Sequence, residues 1–125
     1  MPSLATLEAF IALVESNAHV EAIEQFYAAN ASMQENGRPP RVGRDTLIAS
    51  ERSALARASA VRSQCVPPFF LNGDHVAIRW KFEFDYPDGT RMTLDEIAWQ
   101  RWDGDRIAEE KFFYDPVQLQ PVQPR

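Results

Sequence analysis

The chain is poor in the residues that staple, ligate or anchor a protein: among 125 residues there is one cysteine, and there are two histidines. The lone thiol, Cys65, cannot close an internal disulfide, so nothing points to an oxidising compartment, and it is expected to be a buried packing residue. The N-terminus lacks a basic start, an apolar core and a small-residue cleavage site, and no apolar run approaches the length that spans a bilayer. The expectation is a soluble cytoplasmic protein without a membrane partner. Basic charge is also short, with 13 Lys and Arg against 18 Asp and Glu, a net charge of -5. Affinity for nucleic acid comes from clustered basic residues that release counterions, so a nucleic-acid partner is not expected. The arginines between Arg38 and Arg62 are interrupted by Asp45 and Glu51 and read as a solvated helical face.

Several chemical signatures are missing as well. His19 and His75 stand far apart with no HxH, HExxH or cysteine partner, so no metal is expected. There is no GxSxG elbow, phosphate-binding Walker loop or GxGxxG turn, which removes the commonest marks of hydrolases, nucleotidases and dinucleotide enzymes. No cofactor is expected.

What remains is an ordinary globular composition, 45% apolar and 25% charged. A chain of this size buries a core without disulfides or metal. We expect one domain over residues 1–120 and a C-terminal tail at 121–125. Leu7, Phe10, Ile11 and Val14 recur at spacings of three and four, which predicts a helix with Ser3 as N-cap. Val20, Ile23, Phe26 and Tyr27 restart the pattern after Asn17, predicting a second helix from His19 to Ala29. "ASMQENG", 31–37, reads as a short strand, and "RPPRVG" as a loop. From Arg44 the Ala-, Leu- and Arg-rich segment predicts a third helix, with Asp45 at the N-cap.

Beyond residue 60 the period changes from 3.6 to 2. Val76, Ile78, Trp80, Phe82, Phe84 and Tyr86 alternate with Ala77, Arg79, Lys81, Glu83 and Asp85, the pattern of a strand with one buried face. "PDG" at 87–89 and "DGD" at 103–105 predict hairpin turns joining it to two further strands. "AVRSQCVPPFFLNG" supplies another strand, bent or bulged at Pro67 and Pro68. Helices grouped first and strands later indicate an α+β fold. Three N-terminal helices packed on a curved, mostly antiparallel sheet would form a cone-shaped barrel with a natural pocket inside.

The last strands carry acids among aromatic rings. Glu110, Phe112 and Tyr114 share one parity and Glu109, Lys111, Phe113 and Asp115 the other, while Leu94, Glu96 and Ala98 alternate with Asp95, Ile97 and Trp99. A carboxyl placed between apolar walls has its pKa raised and becomes a candidate general acid or base. Glu96 could equally pair outward with Arg79. Tyr27, Tyr114, Glu96, Glu110 and Asp115 are the residue types of the ketosteroid isomerase pattern, a carboxylate base beside an oxyanion site of tyrosine and protonated carboxyl.

"LEAFIALVESNAHVEAIEQFYAANAS", "MQENGRPPRVGRDTLIASE" and "TLDEIAWQRWDGDRIAEEKFFYDP" together resemble the SnoaL-like branch of the nuclear transport factor 2-like superfamily over nearly the whole chain. That resemblance implies a pocket protein whose relatives include cofactor-independent cyclases, isomerases, dehydratases and epoxide hydrolases. On this reading Glu110 or Glu96 shuttles a proton on a small, largely apolar or amphipathic carbonyl compound, and Tyr27 or Tyr114 donates to the developing oxygen charge. Asp115 ties down the strand end, and Trp80, Phe82, Trp99, Phe112 and Met33 are candidate walls. The alternatives are a ligand-binding or accessory domain in which the acids are structural, and an assembly module that buries an aromatic sheet face. A homodimer is expected in each case.

Overall fold

The computed structural model describes residues 1–124. Helix α1, Leu4–Glu15, buries Leu7, Phe10, Ile11 and Val14, and Ser3 caps it by accepting from the Thr6 backbone N–H at 3.0 Å. Helix α2, His19–Phe26, follows a tight connection in which Asn17 takes a φ of 67°. It ends three residues before the predicted Ala29, and Tyr27 is already extended, opening strand β1, Tyr27–Glu35. The Ala-rich "YAANA" favours helix by propensity, but pairing of β1 with a later strand overrides it. Strand β2 is the two-residue Arg41–Val42.

Helix α3, Arg44–Ala56, is capped by Gly43 rather than Asp45, which lies in the first turn. Gly43 has φ 102° and ψ 128°, a conformation that side chains disfavour. The four long strands are β3, Ala60–Asn72, β4, His75–Asp85, β5, Arg91–Asp103, and β6, Arg106–Phe113. The register of β3 against β4 shifts between Val66 and Phe70, across the two prolines, which lack the N–H a ladder needs. Cys65, expected in the core, is only partly buried beside it.

The strands form one six-stranded sheet in the order β2-β1-β6-β5-β4-β3. All pairings are antiparallel except β1 with β6. Irregularities in three of the ladders and the inherent twist of strands curve the sheet around the helices. The cone stays open, because β2 and β3 are unpaired edges rather than a closed seam. On the inner face Phe10 stands at the centre, with ring centroids of Phe26, Tyr27, Trp80 and Trp102 between 5.5 and 6.4 Å away. On the outer face Phe70, Ile97, Trp99 and Phe113 are exposed, between ion pairs of Arg79 with Asp95 and of Arg101 with Glu109.

Residues 116–119 form a 3-10 turn, and Val122 bridges Arg91 through backbone bonds of 2.8 and 2.9 Å. The expected tail is thus tied to β5, with Arg125 outside the described residues. Among the described residues no helix is long and apolar enough to cross a membrane.

A Cβ on residue 43 would meet nothing closer than Thr46 Oγ1 at 3.7 Å. Gly43→Ala should therefore report backbone strain alone, lowering unfolding free energy by about 1–3 kcal/mol in urea titration.

Candidate functional site

The inner face of β4 and β5 follows the even parity of the sequence, so Trp80 stands directly across the ladder from Glu96, Phe82 from Leu94 and Phe84 from Met92. Between this face and the helices lies a cavity of about 920 Å³. Its lining includes Met33, Trp80, Phe82 and Phe112 as walls, and Tyr27, Glu96 and Glu110 as polar groups. The mouth is framed by α3 through Ser50 and Ala54, by Arg57 just past its end, by the turn after β4, and by Leu119 and Pro121.

Glu110 is 3% exposed and sits at the centre of a buried chain. Trp102 Nε1, which can only donate, donates to Gln100 Oε1 at 2.9 Å. That orients the amide, so Gln100 Nε2 donates to Glu110 Oε2 at 2.6 Å, and the Tyr27 hydroxyl donates to Glu110 Oε1. Both carboxyl oxygens are occupied. Burial raises the Glu110 pKa to about 7, although the bonds from Tyr27 and Gln100 hold it down. Burial and then the Glu110 charge push the Tyr27 phenol well above its ordinary range. The Tyr27 backbone carbonyl also accepts from Arg44 and Arg106 at 3.2 and 3.3 Å, which fixes the residue where α2 becomes β1.

Glu96 is different. It is 7% exposed, no hydrogen bond or ion pair to another described residue acts on its carboxyl, and it lines the cavity. Burial, and then the charges of Glu110, Glu35 and Glu51, raise its pKa to about 8. The possible outward partner, Arg79, is bound instead to Asp95, with bonds of 2.9 and 2.7 Å.

Three sequence candidates lie away from this centre. Trp99 has odd parity on β5, so it stands on the outer face, 48% exposed and 5.3 Å from the His75 ring. Tyr114 falls just beyond β6, and its hydroxyl donates to Glu35 Oε1 at 2.9 Å rather than into the cavity. Burial and that bond raise its pKa. Asp115 is exposed and caps the 3-10 turn, accepting from the Val117 N–H at 3.0 Å.

Other residues in and behind the cavity wall carry no signal in sequence spacing. Gln100 shares the parity of Glu96, but nothing in the chain announces its bond to Glu110. Glu35 binds Arg41 at 3.1 Å, and the buried Nε of Arg41 has no partner. His19 and Glu51, 32 positions apart, are joined at 3.1 Å and also line the cavity. Among the described residues no group of three His, Cys, Asp or Glu is placed to hold a metal ion.

An open α+β cone around a carboxyl-bearing apolar cavity is a fold of the nuclear transport factor 2-like type. A family model matches residues 7–110, and the chain belongs to the SnoaL-like domain family. The fold is similar to that of a Catenulispora acidiphila protein with a ketosteroid isomerase-like fold, in complex with trimethylamine. The two share 17% identity at a TM-score of 0.78, over 98% of this chain and 95% of that one. A Mesorhizobium loti protein assigned as a SnoaL-like polyketide cyclase is 22% identical with a TM-score of 0.73, over 88% and 97% of the two chains. An epoxide hydrolase of the LEH-like type from M. tuberculosis is 13% identical with a TM-score of 0.74, over 92% and 84%. No curated protein sequence matches the chain.

Gln100→Leu would strip Glu110 Oε2 and Trp102 Nε1 of their partners at once. Leaving two buried polar groups unsatisfied should cost roughly 2–5 kcal/mol, read as a lowered denaturation midpoint.

Proposed function

We propose that this protein catalyses proton transfer on a small, largely apolar carbonyl compound, with Glu96 as the group that moves the proton. The observation that carries this reading is the unpartnered Glu96 carboxyl, in the cavity lining opposite Trp80. Glu110 is less suited to the shuttle, because Tyr27 and Gln100 occupy both its oxygens. Tyr27 and Glu110 instead make a hydrogen-bonding pair beside it. A proton held there can turn toward oxygen charge as it develops on the substrate, in a cavity where such a bond is worth more than in water. A Glu96 pKa of about 8 keeps both its forms populated near neutral pH, as a residue that takes a proton from carbon and returns it elsewhere requires.

A second reading, ligand binding without reaction, is favoured by the trimethylamine held by the fold neighbour. Aromatic rings around a lone carboxyl also suit an alkylammonium ion. Such a cation would ionise Glu96 and release its proton. The two readings separate cleanly. Binding heats of trimethylamine that vary with the ionisation enthalpy of the buffer, and lose that variation in Glu96→Gln, would favour the amine.

For the catalytic reading, deuterium exchange into enolisable ketones should rise with pH as Glu96 ionises through about 8. It should fall about 10²- to 10⁴-fold in Glu96→Gln with the fold retained. Exchange that is unchanged in this variant would overturn the assignment.

The same variant tests burial of the acid. The folded pKa of Glu96 lies above its ordinary value of 4.5, so the folded form binds the proton more tightly than the unfolded chain. Stability from this group is whole below about 4.5 and is lost as pH rises toward 8. Thermal melts should therefore show Glu96→Gln gaining on the native protein between those limits, by on the order of a few kcal/mol at the alkaline end.

A further inference from the structure

One polar cluster is not used by the chemistry above. His19, the first residue of α2, is 8% exposed and packs its ring edge against Phe82 at 5.4 Å. Its Nδ1 lies 3.1 Å from Glu51 Oε1 on α3, and its Nε2 lies 2.7 Å from Ser63 Oγ on β3. The Ser63 hydroxyl has two acceptors within reach, Nε2 and Asn17 Oδ1, the latter at 2.8 Å. When Ser63 donates to Nε2, the ring carries its proton on Nδ1 and donates it to Glu51. This is a hydroxyl, a base and an acid in line, on three separate elements. The sequence hides it, because the residues lie 44 and 32 positions from His19. A triad is defined by such distances and roles rather than by chain order or a GxSxG turn.

We propose that Ser63, His19 and Glu51 form a nucleophilic triad that hydrolyses small activated esters at the open edge of the sheet. Ser63 is half-buried on β3, the unpaired edge strand, so its oxygen is reachable while its base is shielded. In the forward step Ser63 Oγ bonds to the ester carbonyl carbon as its proton passes to His19 Nε2. Glu51 balances the imidazolium that results. The C–O bond to the alcohol then breaks, and the alcohol leaves with the proton from Nε2. Water attacks the acyl-serine in the same way, giving its proton to His19, and Ser63 recovers that proton as the carboxylic acid departs. Asn17 Oδ1, the amide atom that faces Ser63 Oγ, is an acceptor and holds the resting hydroxyl proton until it turns to Nε2. Phe82, the ladder partner of Ser63, lines the apolar cavity and offers a surface for a short acyl group.

The test uses a fluorophosphonate probe on the full chain, followed by peptide mass mapping. This reagent needs only an activated serine, so the natural ester need not be known. The expected result is an adduct on Ser63, absent in Ser63→Ala. Labelling should slow about a hundredfold or more in His19→Gln and on the order of tenfold or more in Glu51→Gln. Melting curves establish that each variant is folded. Should His19→Gln fail to fold, Glu51→Gln, which keeps a side chain of the same shape, decides. No adduct on Ser63, or an adduct formed at the native rate in the folded variants, would overturn the triad and leave the cluster as a tie between α2, α3 and β3.

Discussion

The run of bonds from Trp102 through Gln100 to Glu110 and Tyr27 is the constraint around which the inner face is arranged. It crosses from β5 to β6 and on to the first residue of β1, so it joins the antiparallel half of the sheet to its one parallel pairing. Each donor in it dictates the orientation of the next, and a break anywhere strands a polar group in the core. Such networks are stabilising only when complete, and completeness here requires Tyr27 to be strand rather than helix. The early end of α2 and the polar end of the cavity thus have a common cause.

That dependence also explains what could be read from the sequence. Period-two alternation in β4 identified its inner face and put Trp80 on it, whereas on β5 both parities carry an acid, so alternation left Glu96 between the pocket and an outward pair with Arg79. The hairpin turns, the bulge at the two prolines and the cap at Ser3 follow from local chemistry and were equally legible. Tyr27 was misplaced on a helix because "FYAANA" carries helical propensity, while its pairing with Ile107 is 80 positions away. Gln100, His19, Glu51 and Ser63 went unrecognised for the same reason. Their roles exist only through partners brought together by the fold, and a polar residue on a strand gives no local hint of what it will face. Parity could have excluded Trp99 as a wall once Glu96 was put inside, since the two lie three positions apart on one strand.

The two buried acids illustrate how environment divides identical side chains. Glu110 and Glu96 share a face, and burial raises the pKa of each. One is bound on both oxygens and serves as a structural and hydrogen-bonding hub. The other has only Trp80 opposite and the cavity in front. Retaining an unpaired carboxyl at such a site costs stability at neutral and alkaline pH, a cost consistent with use rather than architecture.

The acids and the rim of the cavity belong to different parts of the chain. Tyr27, Glu96 and Glu110 are held by β1, β5 and β6, whereas the opening is set by α3, the turn after β4 and residues near 120. Because the cone is not sealed into a barrel, these outer pieces can lengthen, shorten or change side chains without disturbing the ladder that carries the carboxyls. The shape of the opening and the arrangement of the buried carboxyls can therefore diverge independently in descendants of such a domain, the rim being rebuilt while the ladder that holds the acids is inherited intact.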